Sequence, residues 1–144
     1  VAGLGLLALA LRFGGLTAIP GPVFDEVYYP VFGRHYLAGE FFFDAHPPLA
    51  KYVIALGIWL FGDGDLGQRV MSALAGSVFP LVVYGFVAEW GRSHRWGLLA
   101  GLFVALDGLF LVESRLGLIN IFVVLFGMVA QWAWLRAWRD RLAG

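Results

Sequence analysis

Apolar residues in this chain gather into long unbroken runs, separated by short polar groups, with little strict alternation. A helix that crosses a membrane needs about 20 mostly apolar residues, because the hydrocarbon core is about 30 Å thick. The pattern predicts spans over residues 1–13, 66–88, 97–112 and 118–135. The first run is too short for a crossing. It starts at Val1, already inside apolar sequence, and the chain stops at Gly144 just past a basic cluster, so the sequence reads as a piece of a longer protein. The runs are too long and too unalternating for barrel strands, and lipid leaves no other way to satisfy the backbone than helices. The predicted fold class is all-α, with polytopic transmembrane helices. A signal peptide is rejected for the first run, because Leu11-Arg12-Phe13-Gly14 has no small-residue cleavage pattern.

Residues 14–65 break the pattern. Pro20, Pro22, Pro30, Pro47 and Pro48 interrupt them, and Asp25, Glu26, Arg34, His35, Glu40, Asp44 and His46 make them too polar for hydrocarbon. They are predicted to form an external loop, with Phe24, Tyr28, Tyr29, Phe32, Tyr36 and Phe41 to Phe43 at the membrane–water interface. Within the loop, Pro47 and Pro48 open a helix that runs to Phe61 and ends at Gly62-Asp63-Gly64-Asp65. Its apolar core is short of a crossing, so it is predicted to lie in the interface.

Composition supports lipid as the solvent. The chain is 60% hydrophobic and 14% charged, against about 45–50% and about 25% for a soluble domain. A formal net charge of +0 leaves no basic surface for nucleic acid. The absence of cysteine excludes disulfides, thiolate metal sites and a Cys nucleophile. Lys51 is the only lysine, and the arginine bias suggests a bacterial cell membrane. Basic residues also orient the spans. Arg92, His94 and Arg95 share one side with Arg136, Arg139 and Arg141, which is predicted to be cytoplasmic. The Asp25 loop and Glu113-Ser114-Arg115 then face outside.

Candidate chemistry gathers on that outer side. Asp25 and Glu26, just beyond the first span, are candidates for a catalytic base, against the simpler reading of solvated loop acids. Arg69 shares a helix face with Ser72, Ala73 and Gly76 at i, i+3, i+4 and i+7. Its planar fork suits a phosphate, and a snorkelling arginine is the equal alternative. Asp107 sits within a predicted span, where an acid is functional or paired, with Arg115 or Arg69 as partner. His46 is placed to orient a loop carboxylate or to cap a helix. His35, His46 and His94 have no metal-ligand spacing, and no metal site is expected.

Several blocks together resemble the protein O-mannosyltransferases: Phe24-Asp25-Glu26 with Tyr36-Leu37 and Gly39; Phe42-Phe43-Asp44-Ala45-His46-Pro47-Pro48-Leu49-Ala50-Lys51; Arg69 with Ser72-Ala73 and Gly76; and Leu106-Asp107-Gly108 with Glu113-Ser114-Arg115. The resemblance covers the chain from about Leu11 to Leu125. It implies the N-terminal part of a multi-spanning GT-C glycosyltransferase. Such an enzyme moves mannose, with inversion, from a polyprenyl-phosphate donor to Ser or Thr hydroxyls of exported proteins. Lipid, donor and acceptor protein are its implied partners. Asp25 is then the base, and Glu26 orients the acceptor or the loop. Arg69 and Arg115 hold the donor phosphate, and Asp44, His46 and Asp107 position the site. One departure is Asn120, where the family often carries an aspartate. This piece alone is expected to be inactive. The rival readings are a related transferase moving another sugar, such as aminoarabinose to lipid A, and a transporter or structural subunit.

Overall fold

A computed structural model describes residues 1–143. The elements are α1 (Ala2–Phe13), a 3₁₀ turn (Phe24–Val27), α2 (Tyr29–Ala38), α3 (Leu49–Phe61), α4 (Asp65–Trp90), α5 (His94–Leu106), α6 (Gly108–Glu113) and α7 (Asn120–Ala143). No strand occurs among the described residues, so the all-helical expectation holds.

α4 is the axis of the fold. At 26 residues it is long and apolar enough to cross a membrane, as is α7. Packed around α4 are α1, α3, α5 and α7. α1 runs antiparallel to it, since Gly5 lies against Leu81 and the Ser77 hydroxyl donates to the Ala8 carbonyl at 3.5 Å. α7 runs parallel to it, with Trp132 packed on Gly85. The Arg69, Ser72, Ala73 and Gly76 face is buried. A Cβ on Gly76 would stand 2.2 Å from that of Ser114, so only glycine permits this approach.

α3 starts at Leu49, with Pro48 as its N-cap, and stops at Gly62, whose φ of 83° is open to glycine and strained for other residues. Thirteen residues make α3 about 20 Å long, well short of the hydrocarbon thickness. One of its faces packs on α2 and α4, while Tyr52, Leu56, Trp59 and Leu60 stay exposed on another.

Where hydropathy predicts one span over 97–112, the chain makes two helices. At Asp107 the backbone leaves the helix (φ −62°, ψ 125°), and the Asp107 carboxylate accepts from Phe110 N–H at 3.0 Å, which starts α6. The carbonyls left at the end of α5 are taken by Arg12. Fully buried, it donates to the carbonyls of Ala105 at 3.2 Å and Val104 at 3.5 Å. A cation at a helix C-terminus meets the negative end of the dipole. The arginine that interrupts the first apolar run therefore secures the break in the third.

Candidate active site

Glu26 and Arg69 form the most densely bonded pair in the described residues, and both are almost completely buried. An arginine has five N–H donors, and Arg69 uses all of them. Its Nε donates to Glu26 Oε1 at 2.7 Å and one Nη2 proton to Glu26 Oε2 at 2.8 Å. The rest go to the carbonyls of Leu16, Ile19 and Gly21 at 3.3, 2.7 and 2.7 Å. Glu26 is equally committed: it also accepts from Gly117 N–H at 2.7 Å and Val23 N–H at 2.8 Å. The pair ties the 3₁₀ turn to α4 and to the segment before α7. As a phosphate ligand Arg69 would have to give up bonds it already makes, and the Glu26 carboxylate is committed to Arg69 and to two backbone N–H groups.

Asp25, the preceding residue of the turn, is half-buried and has no side-chain hydrogen bond among the described residues. Successive residues of a 3₁₀ helix point about 120° apart, so burying Glu26 directs Asp25 elsewhere. Phe24 holds this register with a left-handed φ of 56°, a costly conformation for a bulky residue. Asp25 lines a cleft of about 350 Å³ with Tyr28, Tyr29, Phe32, Asp44 and His46.

The far wall of this cleft comes from the block before α3. Lys51 is buried and donates to the Asp44 carboxylate and to the His46 carbonyl, the latter at 2.9 Å. Asp44 also shares a 2.9 Å hydrogen bond with His46 Nδ1. Burial alone would raise the Asp44 carboxyl, but hydrogen bonds from Lys51 and His46 outweigh it and hold it at about 2. Because Asp44 is ionised, the shared proton sits on His46 Nδ1, which leaves Nε2 without a bond among the described residues. Tyr29 packs edge-on against His46, with ring centroids 5.8 Å apart. Burial pushes its phenol up, as do the charges of Asp25, Asp44 and Glu113. Phe42 stacks on Phe32 and anchors the loop to α2.

At this end of α4, Arg115 is a cation with donors to spare. Its Nη2 donates to the carbonyls of Gly14 and Gly15 at 2.7 and 3.0 Å, while Nε and Nη1 have no partner among the described residues. It lines a largely apolar cavity of about 270 Å³ with Leu16, Ile19, Val23, Leu111 and Leu116, and the bonded Arg69 also borders this cavity. Asp107 meets neither expected partner, since its bond is to the start of α6. Asn120 donates to Glu113 at 2.9 Å. No group of three or more His, Asp or Glu able to hold a metal occurs among the described residues.

The structure thus brings Asp25, Asp44 and His46 into one cleft, with the Glu26–Arg69 pair beneath its turn and Arg115 on a neighbouring cavity. Asp107 stands apart at the helix break. Sequence reasoning passed over Lys51 and Tyr29 as site residues. A single lysine inside a proline-rich block was the available signal for one, whereas Tyr29 is indistinguishable in sequence from the surrounding aromatics.

Comparison with known proteins agrees across the chain. A family model described as dolichyl-phosphate-mannose-protein mannosyltransferase matches residues 45–143, and a second of the same description matches residues 3–66. A polyprenol-phosphate-mannose–protein mannosyltransferase of Corynebacterium glutamicum is 35% identical, over 92% of this chain and 29% of its own length. One of the same description from Mycolicibacterium smegmatis is 33% identical, over 99% of this chain and 29% of its own. Protein O-mannosyltransferase 1 of Drosophila pseudoobscura is 38% identical, over 95% and 17%. The chain therefore spans less than a third of the length of these relatives. No solved structure matches.

Proposed function

The chain belongs to the dolichyl-phosphate-mannose-protein mannosyltransferase family, and on that premise we propose that it supplies the catalytic base and part of the donor site of an inverting protein O-mannosyltransferase. The donor is mannose on a polyprenyl phosphate, and the acceptor is a Ser or Thr hydroxyl of an exported protein. The acceptor oxygen attacks the anomeric carbon while the bond from that carbon to the phosphate oxygen breaks. The hydroxyl proton goes to the Asp25 carboxylate, and the lipid phosphate leaves with the bonding pair. A phosphate leaving group needs no general acid, so one base suffices, unlike the two carboxylates of a glycosidase. Charge building on the phosphate requires a positive group, and Arg115 is assigned to it.

One observation carries this reading. Of the two carboxylates lining the cleft, Asp44 is bound by Lys51 and His46, whereas the Asp25 side chain has no hydrogen bond among the described residues and is open to take a proton. The apolar cavity beside Arg115 supports the phosphate assignment, because it suits the first isoprene units of the donor. The cleft lies at the Asp65 end of α4, and we place that end on the outer face of a bacterial cell membrane. The clustering of Arg92, Arg95, Arg136, Arg139 and Arg141 at the other end supports this orientation. Nothing observed favours the lipid A or transport readings.

The test is made in the full-length enzyme. Asp25→Asn keeps the shape but cannot accept the proton, and loss of a general base typically costs about 100- to 10,000-fold in rate. Donor affinity should hold. Arg115→Ala should weaken donor binding by about tenfold to a hundredfold, the value of a charge-assisted hydrogen bond. Near-normal single-turnover rates in Asp25→Asn would remove it as the base.

A further inference from the structure

At the opposite end of α4 lies a larger cavity of about 660 Å³ between α4, α5 and α7. We propose that it binds the phosphate headgroup of an anionic phospholipid from the membrane face opposite the Asp25 cleft. The reading does not depend on the chemistry assigned to that cleft.

Charge is the first reason. The cavity is lined by three arginines, Arg92, Arg136 and Arg139, and by a single carboxylate, Glu89. That carboxylate is already occupied. It accepts from Trp132 Nε1 at 2.5 Å and from Arg136 Nε at 2.8 Å. Arg136 keeps both terminal nitrogens without a partner among the described residues, and Arg92 makes no side-chain hydrogen bond there at all. Arg139 donates to the carbonyls of Glu89 and Trp90 at 2.5 and 3.1 Å, which fixes it at the end of α4 with its charge intact. His94 Nδ1 and the Tyr84 hydroxyl share a 2.9 Å hydrogen bond, which leaves Nε2 without a partner among the described residues. Three guanidinium groups against one carboxylate leave a net excess of two positive charges. Planar forks with free donors suit phosphate oxygens.

The second reason is depth. Trp90, Trp96, Trp134 and Trp138 are all at least half exposed around this end of the bundle. Exposed tryptophans mark the headgroup level of a bilayer. The inner wall below the arginines is apolar, formed by Leu81, Gly85, Ala88 and Trp132. A basic rim over an apolar wall between transmembrane helices is the arrangement that holds lipid headgroups, whereas a free phosphate would gain nothing from the wall. Arg92 also has a left-handed φ of 50°, a conformation that is uncommon outside glycine and that functional sites retain.

The experiment uses the full-length enzyme, delipidated in neutral detergent, with native mass spectrometry and a thermal-shift titration as readouts. Phosphatidylglycerol should bind and raise the melting temperature, while phosphatidylcholine and millimolar inorganic phosphate should not. Arg92→Gln and Arg136→Gln should each weaken phosphatidylglycerol about fivefold, and together about thirtyfold, taking about 1 kcal/mol per basic residue. Arg95→Gln, outside the cavity, should have no effect. An equal loss in Arg95→Gln would replace the site with diffuse surface charge. Competition by inorganic phosphate at the same concentration would make it a free-phosphate site, and failure to retain phosphatidylglycerol would remove it. If Arg136→Gln disturbs the fold through Glu89, Arg92→Gln alone decides, since Arg92 has no side-chain bond to lose among the described residues.

Discussion

Replacing Glu26 or Arg69 is expected to unseat the 3₁₀ turn rather than to change donor recognition selectively. Breaking a buried, hydrogen-bonded ion pair by removing one partner costs about 3–5 kcal/mol. Glu26→Gln and Arg69→Ala should therefore both lower the yield and melting temperature of the full-length enzyme. Loss of donor affinity in a normally folded Arg69→Ala protein would return the phosphate role to Arg69. Asp44 carries a second prediction. Its carboxyl is depressed from 3.8 to about 2, so its contribution to stability is complete above about pH 4 and is lost as pH falls through about 2. The loop should hold from neutral pH to about pH 4 and then loosen. Asp44→Asn should abolish that acid-dependent step while destabilising the loop at pH 7, because Lys51 is left buried without its counter-charge. Hydrogen exchange across residues 40–52 measures both effects, and a step at pH 2–4 that survives in Asp44→Asn would exclude Asp44 as its source. Residue types and spacing made Asp25, Glu26, Asp44, His46 and Arg69 stand out in the sequence. The division of labour between Asp25 and Glu26 was not legible there, because it depends on partners 43 to 91 residues away, namely Arg69 and Gly117 around Glu26.

Helix elements respond differently to the same kind of change. Gly76→Ala would drive a Cβ to 2.2 Å from that of Ser114 and 3.0 Å from Arg12 Nε. Overpacking of this kind costs about 1–3 kcal/mol. Gly3→Ala meets nothing within 4 Å and should be neutral or slightly stabilising. Thermal unfolding of the two variants compares them directly, and equal melting temperatures would show that α4 and Ser114 are not in close contact. The α5–α6 break gives a further contrast. Asp107 acts there as an N-cap, and aspartate and asparagine cap about equally well. Asp107→Asn should leave stability nearly unchanged, whereas Asp107→Ala should cost about 1 kcal/mol. A large loss in Asp107→Asn would instead reveal a role for its charge. Hydropathy located this stretch but not the break, because an average over apolar residues does not register one side chain that turns back on its own backbone.

At the scale of the whole molecule, the two ends of α4 have opposite characters: an acidic cleft near Asp65 and a basic cavity near Trp90. Cysteines introduced at the exposed positions Glu40 and Arg95 should be labelled by an impermeant reagent from opposite sides of the membrane. Labelling of both from one side would overturn the orientation. The sequence by itself determined the helical class, because runs of apolar residues leave lipid-exposed backbone no alternative, and it determined which charged groups share an end, because short connections between long helices impose that. Only the tertiary structure decided which charges remain available. Arg69 and Glu26 are saturated by each other and by nearby backbone groups, Lys51 occupies Asp44, and Arg12 holds the end of α5, while Asp25, Arg92 and parts of Arg115 and Arg136 are left without hydrogen-bond partners among the described residues. A buried charge must find hydrogen-bonding partners wherever the fold brings them. For Arg12, Glu26 and Arg69 those partners come from distant parts of the chain, so their assignment as structural residues is made by packing and not by local sequence.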